Sequence, residues 1–112
     1  MSNMSFSLMA EEIFEDLLTQ LEVFDALEDL DMDVIDGLMT VGFEDGSSVI
    51  LNRQEPLSQI WLASPEGPAH FAQDKVSKKW LNIKTGDDFY ETLSRVFASK
   101  SGADIPLTQP TL

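Results

Sequence analysis

The chain has 112 residues, with 20 acidic and 7 basic side chains, a net charge of −13 and no cysteine. This charge repels phosphate backbones and anionic lipids, so we exclude nucleic-acid and membrane-surface binding. The lack of cysteine excludes disulfides, thiolate metal sites and thiol catalysis, and it fits a reducing cytoplasm. No apolar stretch reaches membrane-spanning length and no basic, apolar leader is present. We therefore predict one cytoplasmic domain over residues 1–112.

The negative charge is confined to one half of the chain. Residues 1–52 hold 13 acids and no base, whereas residues 53–112 hold seven acids and seven bases. Acids that are not interleaved with bases repel one another and raise the free energy of a compact fold. This distribution indicates that the acids serve binding and not only solubility.

The first predicted element is an amphipathic helix over about residues 6–27. Apolar residues recur there at helical spacing, and neither glycine nor proline interrupts them. At 3.6 residues per turn, Glu11, Glu15 and Glu22 fall close to one line on the side away from the apolar stripe. These acids therefore share the solvent face of the helix.

A strand with one buried face is predicted next, because the hydrophobic period changes to two at Asp29. Asp29, Asp31 and Asp33 alternate with apolar residues and point outward together as a ladder of carboxylates. Asp36-Gly37 then predicts a hairpin turn into a return strand over residues 38–43.

The second half of the chain predicts short strands and a closing helix. The strands cover residues 48–52, 59–63, 69–73 and 80–83, and a loop covers residues 64–68. A helix follows over about residues 87–99, starting near Thr85 or Asp87, and a loose tail over about residues 103–112. Consecutive hairpins between two helices predict an α+β two-layer sandwich, an antiparallel sheet with both helices on one face.

The acidic cluster admits three interpretations: a solvated surface, a weak site for a hard cation such as iron, manganese, calcium or magnesium, or a docking site for a cationic protein. The acids match no calcium-loop pattern, so we expect any bound metal to exchange readily. The cluster comprises Glu11, Glu15, Glu22, Asp25, Glu28, Asp29, Asp31, Asp33 and Asp36.

Two aromatic residues are further candidates. Alternation in the strand at residues 59–63 places Trp61 on the open face of the sheet, where it packs under a loop or the tail, or forms a protein-binding hot spot. His70, the sole histidine, is either a hydrogen-bonded, half-exposed residue or a functional base. No nucleophile stands beside an obvious base, so we predict that the protein is not an enzyme and assign no catalytic residue.

The run at residues 52–63, followed by Gly67, His70-Phe71 and Trp80, resembles the signature of the frataxin family, and of its bacterial branch most closely. The resemblance covers nearly the whole chain and implies a two-layer sandwich with both helices on one side. It also implies iron binding by an acidic ridge, and regulation of iron–sulfur cluster assembly by docking on a cysteine desulfurase and iron–sulfur scaffold complex.

The resemblance also implies particular site residues. Five acids fall on the ridge positions that hold ferrous or ferric iron, namely Glu22, Asp25, Asp29, Asp31 and Asp33. The partner-binding surface comprises Trp61 with Asn52, Arg53, Gln54 and Gln59, to which we add the acids Glu11, Glu15 and Glu28. We predict a non-enzymatic, iron-binding adaptor that is monomeric without metal. The alternatives are an acidic nucleic-acid mimic without metal function and an iron-oxidising enzyme.

Overall fold

The computed structural model describes residues 5–109, which form a helix, six strands and a second helix in that order. The elements are α1 (Phe6–Glu22), β1 (Asp31–Ile35), β2 (Leu38–Gly42), β3 (Ser48–Gln54), β4 (Gln59–Ser64), β5 (Gly67–Gln73), β6 (Trp80–Asn82) and α2 (Phe89–Ser101). The predicted fold class is confirmed, and β3, β4 and β6 match their predicted bounds to within two residues.

The sheet is a six-stranded antiparallel meander in which each strand pairs with its neighbours in the chain. Hairpins of this kind need no crossover, because an antiparallel strand can return after a short turn. β1 and β6 are consequently the two edges of the described sheet. The acidic first half of the chain forms the β1 side and the lysine-bearing half forms the β6 side.

One face of the sheet packs against both helices and forms the core. Buried side chains come from α1, from alternate positions of β2 to β6, and from α2, as the period-two pattern requires. The core of the sheet consists of Met39, Val41, Val49, Leu51, Ile60, Leu62, Phe71 and Trp80. The other face carries the alternate side chains, and no helix of the described chain packs on it.

Helix α1 is shorter than predicted. Ser5 caps its start by accepting a hydrogen bond from the Leu8 amide at 3.3 Å, and the helix ends at Glu22 instead of about residue 27. Phe24 is extended (φ −92°, ψ 117°), and a short 3₁₀ turn, Asp25–Leu27, follows. This break lets Leu27 stay buried while the chain turns toward β1.

The turn between β1 and β2 confirms the predicted hairpin. Asp36 and Gly37 both adopt left-handed backbone angles, with φ of 48° and 76°. Two successive left-handed residues form the type I′ turn that matches the twist of paired strands. The predicted start of the preceding strand is wrong. β1 begins at Asp31, and Asp29 lies in the turn before it.

The predicted loop over residues 64–68 is wrong. Pro65 and Glu66 form a two-residue turn, while Gly67 and Pro68 already belong to β5. Proline has no amide hydrogen to donate to a second neighbour, but β6 pairs only with Phe71–Gln73. Pro68 therefore lies on a part of β5 that has one neighbouring strand.

Helix α2 begins and ends two residues later than predicted. Asp88 is its N-cap and accepts a hydrogen bond from the Glu91 amide at 3.1 Å, while Gly102 ends the helix with φ 73°. The carboxylate cap and the left-handed glycine satisfy backbone groups that the helix ends leave free.

The prediction of a loose tail is wrong for residues 103–109, and residues 110–112 lie outside the described chain. Ile105 and Leu107 are buried. The Leu107 amide donates to Ser94 Oγ of α2 at 2.9 Å, and the Thr108 amide donates to Gln20 Oε1 of α1 at 3.0 Å. The tail is therefore an ordered segment that contacts both helices.

Candidate functional site

The acids of α1 lie on its outer surface, as predicted. Glu11, Glu15 and Glu22 are all exposed, and the buried stripe of the helix lies on the opposite side. The chain then carries Asp25, Glu28 and Asp29 through the 3₁₀ turn and the following turn, and these three are also exposed.

Asp31 and Asp33 lie on the open face of the sheet. Met32 and Val34 pack against the core, so the carboxylates between them point to the other side of β1. They line a shallow depression of about 390 Å³ over β1, β2 and β3. The predicted ladder of three aspartates is thus reduced to two, because Asp29 precedes the strand.

The acids form a band around the β1 edge instead of a patch on one face. The α1 carboxylates belong to the helical layer, Asp31 and Asp33 belong to the open face, and the connecting turn joins them. Since α1 contacts β1, an edge strand, the two groups continue into each other around that edge. We call this set the acidic band, comprising Glu11, Glu15, Glu22, Asp25, Glu28, Asp29, Asp31 and Asp33.

The ion pairs between residues 5 and 109 all lie outside the acidic band. Arg53 Nε lies 3.1 Å from Glu55 Oε1, Arg95 Nη2 lies 2.8 Å from Glu66 Oε1, and Lys100 pairs with Asp45. Lys100 lines the same cleft as Asp29 and also lies over the Phe43 ring, with Nζ 5.7 Å from its centroid. The charge of the band is therefore uncompensated by the described bases.

Asp45, which lies outside the band, is engaged by neighbouring donors. The pKa of the Asp45 carboxyl is held well below its usual range, first by the hydrogen bond from Lys100 and then by those from Ser47. Asp45 is therefore ionised and already engaged at neutral pH, which distinguishes it from the acids of the band.

The acidic band contains no preformed metal cage. Among residues 5–109, no three Asp, Glu, His or Cys side chains converge as ligands of one ion. Exposed carboxylates are hard oxygen donors that suit iron, and their remaining coordination positions stay open to water. The chemistry of such a surface suits a hydrated cation that exchanges readily.

Trp61 has a defined environment on the open face. Its indole stacks on the His70 imidazole, with ring centroids 4.1 Å apart and planes 6° apart. Trp61 Nε1 donates to Gln59 Oε1 at 2.8 Å, so the ring is held from two directions. Trp61 is thus partly buried by a side chain of the neighbouring strand β5. Cover by a loop or the tail alone does not explain its burial.

A row of side chains crosses the open face through Trp61. The strand registers pair Ile35 with Leu38, Leu38 with Asn52, Asn52 with Trp61, and Trp61 with His70. Ile35 and Leu38 are exposed large aliphatic residues. The row combines apolar and amide side chains around one rigid aromatic ring, a composition enriched in protein-binding surfaces.

Three predicted partner residues, Asn52, Gln54 and Gln59, join Trp61 on the open face and one does not. Gln54 pairs with Gln59 in the register and lies beside this row. Arg53 pairs with the buried Ile60, so it has the opposite orientation, and its guanidinium packs over the β1–β2 turn. Arg53 stabilises the end of the sheet and does not share the Trp61 surface.

Sequence reasoning missed the open-face roles of Ile35, Leu38 and His70. Ile35 and Leu38 flank the Asp36-Gly37 turn and carry the same orientation as Asp33, a signal present in the alternation of the strand. The stack with His70 requires the register of β4 on β5, which depends on the two-residue turn between them.

Comparison with known proteins identifies the family of the chain. Residues 1–103 match the family model described as a frataxin-like domain. The chain belongs to the frataxin family. A relative from Thioalkalivibrio sulfidiphilus (strain HL-EbGR7), named iron-sulfur cluster assembly protein CyaY, is 55% identical over 107 residues, which cover 96% of this chain and 100% of that protein. The predicted family is confirmed.

Solved frataxin structures share the fold. The frataxin of Psychromonas ingrahamii matches with a TM-score of 0.71 and 30% identity, covering 95% of this chain and 100% of that one. A trimeric frataxin from the yeast Saccharomyces cerevisiae, complexed with ferrous iron, matches with a TM-score of 0.73 and 27% identity, covering 92% and 91% of the two chains. Over the described residues of this frataxin, neither helix is long and apolar enough to cross a bilayer.

Proposed function

We propose that this frataxin is an iron-binding acidic adaptor that regulates iron–sulfur cluster assembly by docking on a cysteine desulfurase complex. The observation that carries the proposal is the acidic band, whose carboxylates form no ion pair with the described bases. The 55% identical relative is named for iron–sulfur cluster assembly, which supports the same process here.

Iron binding is assigned to the part of the band that runs from the end of α1 into β1. We propose that its ligands are Glu22, Asp25, Asp29, Asp31 and Asp33. Their oxygens are hard donors and all five residues are exposed, so they suit a hydrated ferrous or ferric ion. The yeast frataxin complexed with ferrous iron supports this metal. The iron is cargo that the surface picks up and releases, not a resident cofactor.

Docking uses two surfaces. The acids Glu11, Glu15 and Glu28 extend the field of the band and attract a basic patch on the desulfurase, which raises the association rate and weakens with salt. Trp61 with Asn52, Gln54 and Gln59 supplies a second contact on the open face, toward the scaffold. The β1 edge lies between the two surfaces, so one docked molecule presents both to the complex.

The protein acts by binding, not by catalysis. Oxidation of iron by a pair of metals requires a fixed two-metal site, whereas the carboxylates of the band lie exposed along a curved edge. Bound iron near the sulfur-transfer site makes the rate of cluster assembly depend on iron supply. We propose that this regulation takes place in the cytoplasm.

The test is a binding titration with purified cysteine desulfurase at low and high salt, with and without ferrous iron. The variant Asp31→Asn/Asp33→Asn removes two charges of the band, and Glu91→Gln/Asp104→Asn removes two exposed charges of the C-terminal half. We expect the first variant to weaken desulfurase and iron binding together, and the second to bind like the wild type.

Three outcomes contradict the proposal. Equal losses in both variants mean that only net charge matters and that the band is not a site. Competition with DNA for a basic partner, together with indifference to iron, establishes the nucleic-acid mimic. Catalytic oxygen consumption with ferrous iron establishes the iron-oxidising enzyme.

A further inference from the structure

The basic residues of the chain divide into two groups. Arg53, Arg95 and Lys100 each pair with a carboxylate. The other bases form no ion pair within residues 5–109, and all of them are exposed in the segments on either side of β6. We call this second group the basic edge, comprising Lys75, Lys78, Lys79 and Lys84. Because β1 and β6 are opposite edges of the sheet, the acidic band and the basic edge place uncompensated charge of opposite sign at its two sides.

The acids closest in sequence to the basic edge have other contacts. Asp74, in the turn before β6, accepts a hydrogen bond from the Ser77 amide at 2.7 Å. Asp87, after β6, lines a separate small cleft together with Arg95. These two acids therefore offset the positive charge of the basic edge only in part.

A cleft of about 240 Å³ lies between β5 and the turn that follows β6, directly beside the Trp61 surface. One wall is His70, whose imidazole stacks on the Trp61 indole with centroids 4.1 Å apart. Lys84 contributes the positive charge of the cleft, and the described lining includes no carboxylate. The charge in this cleft is therefore complementary to an acidic group.

The segment that carries Lys84 is held in place by hydrogen bonds. Asn82 Oδ1 accepts from the Lys84 amide at 2.8 Å and from the Thr85 amide at 3.3 Å. The Ile83 amide donates to the His70 carbonyl at 3.0 Å, and the Ile83 side chain is exposed. The backbone of Lys84 is thus fixed relative to His70, so little ordering of the segment is needed when a partner binds.

We propose that the protein partner that docks on Trp61 inserts an acidic side chain into this cleft, where Lys84 pairs with its carboxylate. Pro68 and Ile83 supply apolar lining for the aliphatic part of that side chain. The other lysines of the basic edge attract the same acidic surface of the partner. This inference rests on the proposed function, because it states the chemistry of the partner at the open-face contact.

Charge complementarity alone would also fit the acidic band of a second copy of this chain. Two features favour a different protein. Each copy has a net charge of −13, so two copies repel each other at long range. The cleft also adjoins Trp61 through His70, so a side chain seated in it belongs to the protein that contacts Trp61.

The first measurement is the affinity of the purified iron–sulfur scaffold protein for the wild type, Lys84→Gln, Lys84→Arg and Ser99→Glu. Ser99 is exposed on α2, in the helical layer, and Ser99→Glu changes the net charge by the same amount as Lys84→Gln. We expect Lys84→Gln to bind about three- to fivefold more weakly, which is the size of one partly exposed ion pair. Ser99→Glu and Lys84→Arg are expected to bind like the wild type.

The second measurement repeats the titrations with purified cysteine desulfurase, whose contact is assigned to the acidic band. Lys84→Gln is expected to bind the desulfurase like the wild type. An equal loss for both partners means that Lys84 makes no local contact with the scaffold, and it overturns the inference. Sedimentation velocity tests the second copy: self-association that is lost in both Lys84→Gln and Asp31→Asn/Asp33→Asn assigns the basic edge to another copy and also overturns the inference.

Failure of the inference is distinguishable from failure of the proposed function. If Trp61→Ala weakens scaffold binding but Lys84→Gln binds like Ser99→Glu, the inference is overturned and the proposed function stands. If Trp61→Ala binds the scaffold like the wild type, the open face is not a docking surface and both are overturned. A loss in Lys84→Gln that is confined to the scaffold and restored in Lys84→Arg supports the inference.

Discussion

The guanidinium of Arg53 lies directly over Gly37, where a Cβ atom would fall 2.7 Å from Arg53 Nε. The same guanidinium pairs with Glu55, whose carboxylate accepts a hydrogen bond from Ser7 Oγ at 2.6 Å. The β1–β2 turn, the end of β3 and the start of α1 are thereby joined at one end of the sheet. This network engages Arg53 on the side of β3 to which strand alternation directs it, away from Trp61.

Replacement of Gly37 by alanine tests this packing. Gly37 has φ 76°, and an added Cβ meets Arg53, so both backbone strain and displacement of the guanidinium destabilise the variant. We expect Gly37→Ala to lower the free energy of unfolding by about 2–3 kcal/mol in urea titrations. Gly46→Ala is the control, because φ is 90° there but nothing lies within 4 Å, and its expected cost is about 1 kcal/mol. Equal costs at the two positions contradict the packing argument.

Crowding of carboxylates on β1 predicts an effect on stability as well as on binding. Asp31 and Asp33 are neighbours on one face of an edge strand, at a spacing of about 6.6 Å. We expect Asp31→Asn/Asp33→Asn to raise the Tm by about 2–4 °C at low ionic strength, because repulsion in the folded state is relieved. Calorimetry in 0.5 M salt is expected to remove most of this gain, since the screening length there falls to about 4 Å, which is shorter than the spacing of the two carboxylates. A Tm that is unchanged, or that rises equally in Glu91→Gln/Asp104→Asn, contradicts the prediction.

The ordered tail predicts a large loss of stability from a residue near the end of the chain. Leu107 is buried and its amide is bound by Ser94, whereas the neighbouring Thr108 side chain is exposed. We expect Leu107→Ala to cost about 2–4 kcal/mol in urea denaturation, through lost transfer energy and a cavity. Thr108→Ala is the matched control and is expected to stay within about 0.5 kcal/mol of the wild type. A small effect at Leu107 means that the tail does not contribute to the core in solution.

Tyr90 predicts a dependence of stability on alkaline pH. Its hydroxyl is buried without a hydrogen-bond partner among the described residues. Burial, and then the charges of Asp16 and Asp88, raise the pKa of Tyr90 far above its ordinary value of 10.0. Because the folded state holds this proton more tightly than the unfolded state, the associated stability is present below pH 10 and is lost as the pH rises beyond it.

The variant Tyr90→Phe removes both the unpartnered hydroxyl and the titration. We expect it to be about 1 kcal/mol more stable than the wild type at pH 7, because a buried group without a partner is absent. Urea titrations at pH 7 and pH 10.5 are expected to show a smaller alkaline loss in the variant. A strong destabilisation by Tyr90→Phe at pH 7 would show that the hydroxyl has a partner in solution.

Local patterns predicted most of the fold. The alternation in β1 and the Asp36-Gly37 turn act between neighbours in the chain, so they were readable without tertiary information. The end of α1 could not be predicted in this way. No glycine or proline marks it, and the break depends on where Leu27 enters the core. The order of the tail was also missed, because it depends on contacts with both helices, which are distant from each other in the sequence.

The candidate site likewise has features that the sequence predicted and features that only the tertiary structure shows. Composition located the acidic band, and alternation placed Trp61 on the open face, since both follow from the residues of one element. The same alternation sets Arg53 apart from Asn52 and Gln54, although a motif that is contiguous in sequence groups the three together. Only the register across the Pro65-Glu66 turn brings His70 over Trp61.

The meander order of the sheet has a consequence for folding. Every strand pair joins neighbours in the chain, so hairpins form with short loops and little entropy loss. The contacts that join the two ends of the chain are more remote: the Phe6 ring packs 6.0 Å from Trp80 of β6, and Gln20 of α1 binds the backbone of Thr108. The strands of the sheet can therefore pair one after another along the chain. Docking of the two chain ends is then the step that costs the most entropy and completes the native state.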